Sequence, residues 1–352
     1  MEKEKLKQLL EDTAKESGLK ITGEIADLKT KEQKADEKEF EDWKSEKQEH
    51  TIIEEFKTPH ELLKCLLKTK HYEGLIFTGE GGIGKTILTL SSVKQLLQPN
   101  DWEYSNGYTT PLSLYSFLYN NRNKRVIILD DVEGIFNNRL SLAILKGALW
   151  DSDGKRICQY SSTSDKAKMP EKFVMKANII ILCNHIPKEN DVSTRAMISR
   201  TIFYKMIFSF NQKMKICKDF LIDDKTISNE DRKNILEILC SEVTEATRDF
   251  NFRTLRKLIA FVQYDKKKAK ILFQATTEVD EMKRVYLQVI KKSDVVKTQI
   301  LLFMEKTGRS RRTFFRTKKE MSVKVSTILD VDTNTNTKLK GGKNNGTNKK
   351  TE

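Results

Sequence analysis

The run Gly79-Glu80-Gly81-Gly82-Ile83-Gly84-Lys85-Thr86 has the spacing G-x-x-x-x-G-K-[ST]. Each residue type in it suits the binding of an anion. The glycines let the backbone curl until several N–H groups point at one phosphate. Lys85 brings a cation to the β- and γ-phosphates of a nucleoside triphosphate, and the Thr86 hydroxyl is a hard oxygen ligand for Mg²⁺. A Gly-rich turn with a chance Gly-Lys-Thr would lack flanking order. Here Leu75-Ile76-Phe77 reads as a buried strand, and Ile87–Leu97 as a helix whose N-terminal dipole faces the phosphates. The chain is expected to bind ATP.

A second set of groups would complete such a site. Arg125-Val126-Ile127-Ile128-Leu129-Asp130-Asp131 is an apolar strand ending in two carboxylates. Asp130 would hold Mg²⁺, directly or through water, and Asp131 would polarise the attacking water. Paired acids after a strand also serve as N-caps, but the phosphate loop upstream favours the catalytic reading. Asn184, just past the apolar run Asn178–Leu182, would position the water or the γ-phosphate, or would simply turn the chain. Arg195 and Arg200 would stabilise charge on a neighbouring subunit's γ-phosphate, or lie on the surface or pair with Asp191.

These residues need elements to position them. Thr58 is a candidate N-cap, with Pro59 at the first helical position and Glu61 closing a capping box, ahead of Leu62, Leu63, Leu66 and Leu67 at helical spacing. Pro99–Thr110 reads as loop or strand, and Pro111–Tyr119 and Leu140–Leu149 as helices. Arg156–Ser161 and Lys172–Lys176 read as short strands around a Ser/Thr/Lys loop. Strands alternating with helices predict a parallel α/β sheet. From Asn211 helices take over through Ser293. Val295–Lys306 is then a helix, Thr307-Gly308 a break, and Arg309–Met321 a short basic helix capped by Arg309 or Ser310, with a phenylalanine turned inward. That is the pattern of a helix-turn-helix, or of a solvated basic helix. In the first reading Arg311, Arg312 and Arg316 would reach bases or phosphates, and Lys318 and Lys319 phosphates.

In order, Gly-Lys-Thr, Asp-Asp, Asn and Ser-Arg resemble the AAA+ ATPases, particularly those of phages, plasmids and other mobile elements. The resemblance spans about Thr58 to Val279. It implies an α/β P-loop NTPase sheet flanked by helices, an α-helical lid and a small helical C-terminal DNA-binding segment. Asn251-Phe252-Arg253-Thr254-Leu255-Arg256 resembles the start of the sensor-2 helix, which implies Arg253 on the γ-phosphate. Ser199-Arg200 resembles the pair carrying the arginine finger of clamp-loader-like members. Active members are rings, here a hexameric homo-oligomer with ATP between neighbours. The segment around Ser161–Glu171 resembles a DNA-contacting hairpin, with Lys166 and Lys168 near its tip; a solvated loop fits it as well. One departure stands out: members of the family carry Asp-Glu where this chain has Asp130-Asp131, and Glu133 is a possible substitute.

The expected divisions are a charged arm over 1–50, an ATPase core over 51–210, a lid over 211–292, a helix-turn-helix over 293–325 and a disordered basic tail over 326–352. A net charge of +14 points to a polyanionic partner. Five cysteines without metal spacing suit buried thiols in a reducing compartment. With no signal peptide and no apolar stretch of membrane length, no membrane partner is expected, and the location is the cytoplasm or nucleoid, or a host cytoplasm. The reading is an ATP-dependent, DNA-acting ATPase in replication, as helicase, helicase loader or initiator, with a replication protein as a further partner. The alternatives are an ATP-switched DNA-binding regulator or partition-like scaffold with slow turnover, and a protein-remodelling ATPase.

Overall fold

In a computed structural model, residues 31–46, 52–69, 74–107, 110–161, 169–187 and 189–333 are described. They belong to two compact units, one ending at Lys47 and one beginning at Gln48. In the first, α1 (Lys31–Ser45) is a single charged helix.

The second unit is built on a five-stranded parallel sheet. Its strands are β1 (Gly74–Thr78), β2 (Trp102–Asn106), β3 (Val126–Asp130), β7 (Asn178–Cys183) and β8 (Ile202–Lys205), in the spatial order β2-β3-β7-β1-β8. β1, β3 and β7 are runs of Leu, Ile, Val and Phe because helices cover both faces of a parallel sheet. Ile76, Ile127, Leu129, Ile179 and Ile181 are fully buried in its core. Each such side chain contributes about 1.5–3 kcal/mol through burial. The register sets Thr78 beside Cys183 and Asp130 beside Leu182, so the C-terminal ends of β1, β7 and β3 finish level.

Helices α2 (Lys57–Lys68), α3 (Lys85–Leu96), α4 (Pro111–Asn120), α5 (Glu133–Asn137), α6 (Arg139–Leu149) and α7 (Val192–Ile198) belong to this core. Thr58 does not cap α2. A 3₁₀ turn at Glu54–Phe56 runs straight into the helix, and Lys57 already has helical dihedrals, so Thr58 lies inside the first turn. Thr110 does cap α4, accepting from the Ser113 N–H at 3.2 Å. Between α6 and β7 lies a small antiparallel sheet of β4 (Asp151–Ser152), β5 (Lys155–Gln159) and β6 (Lys172–Met175). β8 was not foreseen: Ile202-Phe203-Tyr204 is only a three-residue apolar run, and it forms a short edge strand of half-exposed residues.

Beyond the sheet, α8 (Phe210–Asp223), α9 (Asn229–Glu242), α10 (Phe252–Tyr264) and α11 (Ala269–Thr276) share one core, including Cys217, Leu239, Leu258 and Phe273. Then α12 (Glu281–Lys292), α13 (Val296–Thr307) and α14 (Arg311–Thr333) pack around Val289, Phe303 and Phe314. Gly308 ends α13 in the left-handed conformation, as the expected break requires. Helix α14 is not short: it continues past Met321 to Thr333, because no Gly or Pro interrupts it. Residues 334–352, most of the expected tail, lie outside the described residues. No helix among the described residues is long and apolar enough to cross a membrane.

Candidate active site

The loop between β1 and α3 delivers the glycine run to the C-terminal edge of the sheet. Gly79 has φ +152°, and a Cβ there would stand 2.4 Å from the Met206 carbonyl oxygen, so only glycine fits. Its N–H donates to the Asn184 carbonyl at 3.2 Å, which ties the loop to the end of β7. Ile83 is buried and anchors the loop from below. The loop then becomes the first turn of α3, whose unpaired N–H groups face the space above it.

Lys85 is buried, and its ammonium donates to the carbonyls of Gly79 at 2.8 Å and Glu80 at 3.0 Å, and to Asn184 Oδ1 at 3.1 Å. The cation and the amide are therefore neighbours because β7 lies directly beside β1. Thr86 donates its hydroxyl to Asp130 Oδ2 at 2.8 Å, and Tyr104 donates its phenol to the same oxygen at 3.0 Å. Burial pushes the Asp130 carboxyl pKa up, and the Thr86 and Tyr104 hydrogen bonds oppose that rise. Burial and then the Asp130 carboxylate push the Tyr104 phenol well above its ordinary range, so it stays a donor. A hydroxyl and a carboxylate in contact are a donor set that suits Mg²⁺. That ion takes one or two protein oxygens and fills the rest of its shell with phosphate and water.

Asp131 follows at once, exposed and with φ +52°. Its N–H donates to the Leu182 carbonyl at 3.0 Å, which fixes its backbone against β7. The side chain of Glu133, the possible substitute, lies outside the described residues.

Helix α10 closes the far side of the loop. Asn251 caps it, accepting from the N–H of Arg253 at 2.8 Å and Thr254 at 3.3 Å. The Phe252 N–H donates to the Gly82 carbonyl at 3.0 Å, a main-chain bond between helix cap and phosphate loop. Arg253 Nη1 stands 3.7 Å from the Cβ position of Gly81, and Asn184 Oδ1 3.5 Å from it. Glu80 pairs with Lys213 of α8, adding a second contact between the loop and the helices that follow β8. The structure thus brings Lys85, Thr86, Asp130, Asn184 and Arg253 around one loop.

Arg200 is not among them. Its Nη1 donates to the Ala196 carbonyl at 2.6 Å, and its guanidinium lies 4.4 Å from the centre of the half-exposed Trp150 ring. Arg195 is exposed on α7. On α14, Arg311, Arg312, Arg316, Lys318 and Lys319 are all exposed, with Arg311 over the Phe315 ring and Arg316 3.9 Å from Glu320. Phe314 turns inward as expected and is fully buried. Lys166 and Lys168 lie outside the described residues.

Sequence reasoning missed two features. Tyr104 lies in a segment read only as loop or strand. A cavity of about 320 Å³ opens beside Gly84, lined by Ile52, Ile53, Phe56, Ile87, Phe220 and Phe252 among others. Its size and apolar walls suit a flat aromatic group. A signal existed in the exposed Ile87, an apolar residue on the solvent side of α3, but the other walls come from distant parts of the chain.

The phosphate loop, the hydroxyl–carboxylate pair and the strand inserted between them decide the fold. This is an α/β P-loop NTPase fold. No family model matches the chain. A relative in Enterobacteria phage T4, an uncharacterized 36.7 kDa protein of the nrdC–mobD intergenic region, is 27% identical over 213 residues. The match covers 54% of this chain and 64% of that protein, so the chain spans less than two thirds of its relative's length. Among solved structures, the replication initiator DnaA bound to AMPPCP and single-stranded DNA is 14% identical, with TM-score 0.38 over 81% of this chain and 90% of that one. A point mutant of Thermotoga maritima RuvB is 11% identical, with TM-score 0.40 over 67% and 74%. The FIGL-1 AAA domain with ADP is 14% identical, with TM-score 0.36 over 65% and 77%. Likeness at that level is too loose to carry function from one chain to another.

Proposed function

We propose that this chain is an ATP-dependent, DNA-acting ATPase of the AAA+ type, serving replication of a phage, plasmid or other mobile element. One observation carries the reading: Lys85, the Thr86–Asp130 pair, Asn184 and Arg253 converge on a single glycine loop. In it, Lys85 and the α3 N-terminus hold the phosphates, and Thr86 with Asp130 holds Mg²⁺, which would neutralise phosphate charge. Asn184 and Arg253 address the γ-phosphate, and the apolar cavity beside Gly84 takes the base. Arg200, turned away from its own loop, suits a residue that serves the neighbour in a hexameric ring. The exposed basic face of α14 suits DNA phosphates, and the phage relative suits a mobile-element setting.

A second reading is favoured by Asp131. Shorter than glutamate and fixed at φ +52°, it suits an ATP-switched DNA-binding scaffold with slow turnover. ATPase assays with and without single-stranded DNA separate the two. Turnover rising many-fold with DNA, and lost in Lys85→Ala, supports the motor. Near-zero, unstimulated turnover with ATP-dependent DNA binding favours the switch. Lys85→Ala with unchanged ATP binding and turnover would refute the phosphate-loop assignment itself.

A further inference from the structure

Tyr104 stands on β2, two residues before Asn106, whose register partner is Asp130. Residues two apart share a face of a strand, so the Tyr104 ring lies on the side of the sheet that Asn106 faces. Its phenol reaches Asp130 Oδ2 at 3.0 Å, the same oxygen that accepts from Thr86 at 2.8 Å. The Asp130 main-chain oxygen is held in turn by the Gly107 N–H at 3.0 Å. The carboxylate is buried, so its orientation depends on these donors rather than on water. With the Thr86 proton directed at Asp130, the hydroxyl's lone pairs are left for a cation.

We infer that Tyr104 is a positioning residue for the divalent-cation site, holding Asp130 so that Oδ2 keeps the Thr86 hydroxyl aimed. The inference rests on the nucleotide-site reading above. A tyrosine that merely satisfied its own hydroxyl in a half-buried strand would affect stability and every ligand alike. A positioning residue affects the metal and leaves metal-free nucleotide binding alone. Partners one step removed from a metal typically change its affinity 10–100-fold when removed.

The test uses the full chain, Tyr104→Phe, and Mn²⁺ as the probe. Affinity for a fluorescent, non-hydrolysable ATP analogue is measured in EDTA, and bound Mn²⁺ is then followed by electron paramagnetic resonance at saturating analogue. The expected result is a Mn²⁺ half-saturation raised about ten-fold or more, with the EDTA affinity within about two-fold of wild type. An unchanged Mn²⁺ half-saturation, or an equal loss with and without Mn²⁺, overturns the inference alone. A wild-type chain that binds no analogue under either condition overturns the nucleotide reading, and this inference with it.

Discussion

Gly82→Ala tests the join between phosphate loop and lid. Gly82 has φ +73°, where an L-residue costs about 1–2 kcal/mol. Its new Cβ would also stand 2.9 Å from both Cγ and Oδ1 of Asn251 and 3.2 Å from Arg253 Cγ. Asn251 cannot yield freely, because Oδ1 caps α10 through the N–H groups of Arg253 and Thr254. Loss of such a cap costs about 0.5–2 kcal/mol, so the whole substitution should cost about 1.5–4 kcal/mol. Gly81→Ala is the control. Its Cβ would meet only ordinary contacts, 3.5 Å from Asn184 Oδ1 and 3.7 Å from Arg253 Nη1, and its φ is not positive. It should stay within about 0.5 kcal/mol of wild type. Urea unfolding followed by fluorescence reads both. Asn251→Ala removes the cap and the clash together, so combining it with Gly82→Ala should cost less than the sum of the two. Equal stabilities for the two glycine variants, or strict additivity with Asn251→Ala, would refute the loop-to-cap contact as the source of the effect.

Two further outcomes follow from the site. Burial raises the Asp130 pKa, so between its unfolded and folded values the folded chain holds the extra proton and stability falls as pH rises. Asp130→Asn removes that penalty: its melting temperature should exceed wild type by a few degrees at pH 7, and the gap should close below the ordinary Asp range near about pH 3.9. A gap that widens on acidification contradicts the sign. Arg200→Ala should leave the ATP Kd within about two-fold and lower turnover about 10³-fold, the scale of an arginine supplied by a neighbour. Turnover that persists in steady-state assays removes Arg200 from the site.

The loop, Asp130 and Asn184 were legible because an anion site demands residue types and spacing that packing alone does not. Their order along the chain then matched the level ends of β1, β3 and β7. Arg253 at a helix start was legible from the resemblance, and the structure adds the Asn251 cap that holds that start. Other features left no local trace. Thr58 has every property of an N-cap, but whether a helix starts there depends on the 3₁₀ turn before it. β8 is a four-residue edge strand, too short for its Ile202-Phe203-Tyr204 run to separate strand from helix by period. The cavity beside Gly84 combines residues from Ile52 to Arg256, a pairing fixed only by the tertiary fold. Tyr104 is half-buried in a short strand, and nothing in its neighbours signals a carboxylate on β3.

The topology also bears on Asp131. β7 separates β1, which leads into the glycine loop and Lys85, from β3, which ends at Asp130, and its end supplies both Asn184 and the Leu182 carbonyl that holds Asp131. Residue 131, held by that hydrogen bond, sits at φ +52°. Aspartate and asparagine tolerate this region better than longer side chains, because a short polar group can bond locally. Residue type and backbone are therefore linked: a glutamate at 131 would gain a methylene of reach but would disfavour the conformation that β7 imposes. On the proposed reading of the site, this predicts that Asp131→Glu loses stability through the left-handed backbone, measurable by urea unfolding, whatever it does to turnover.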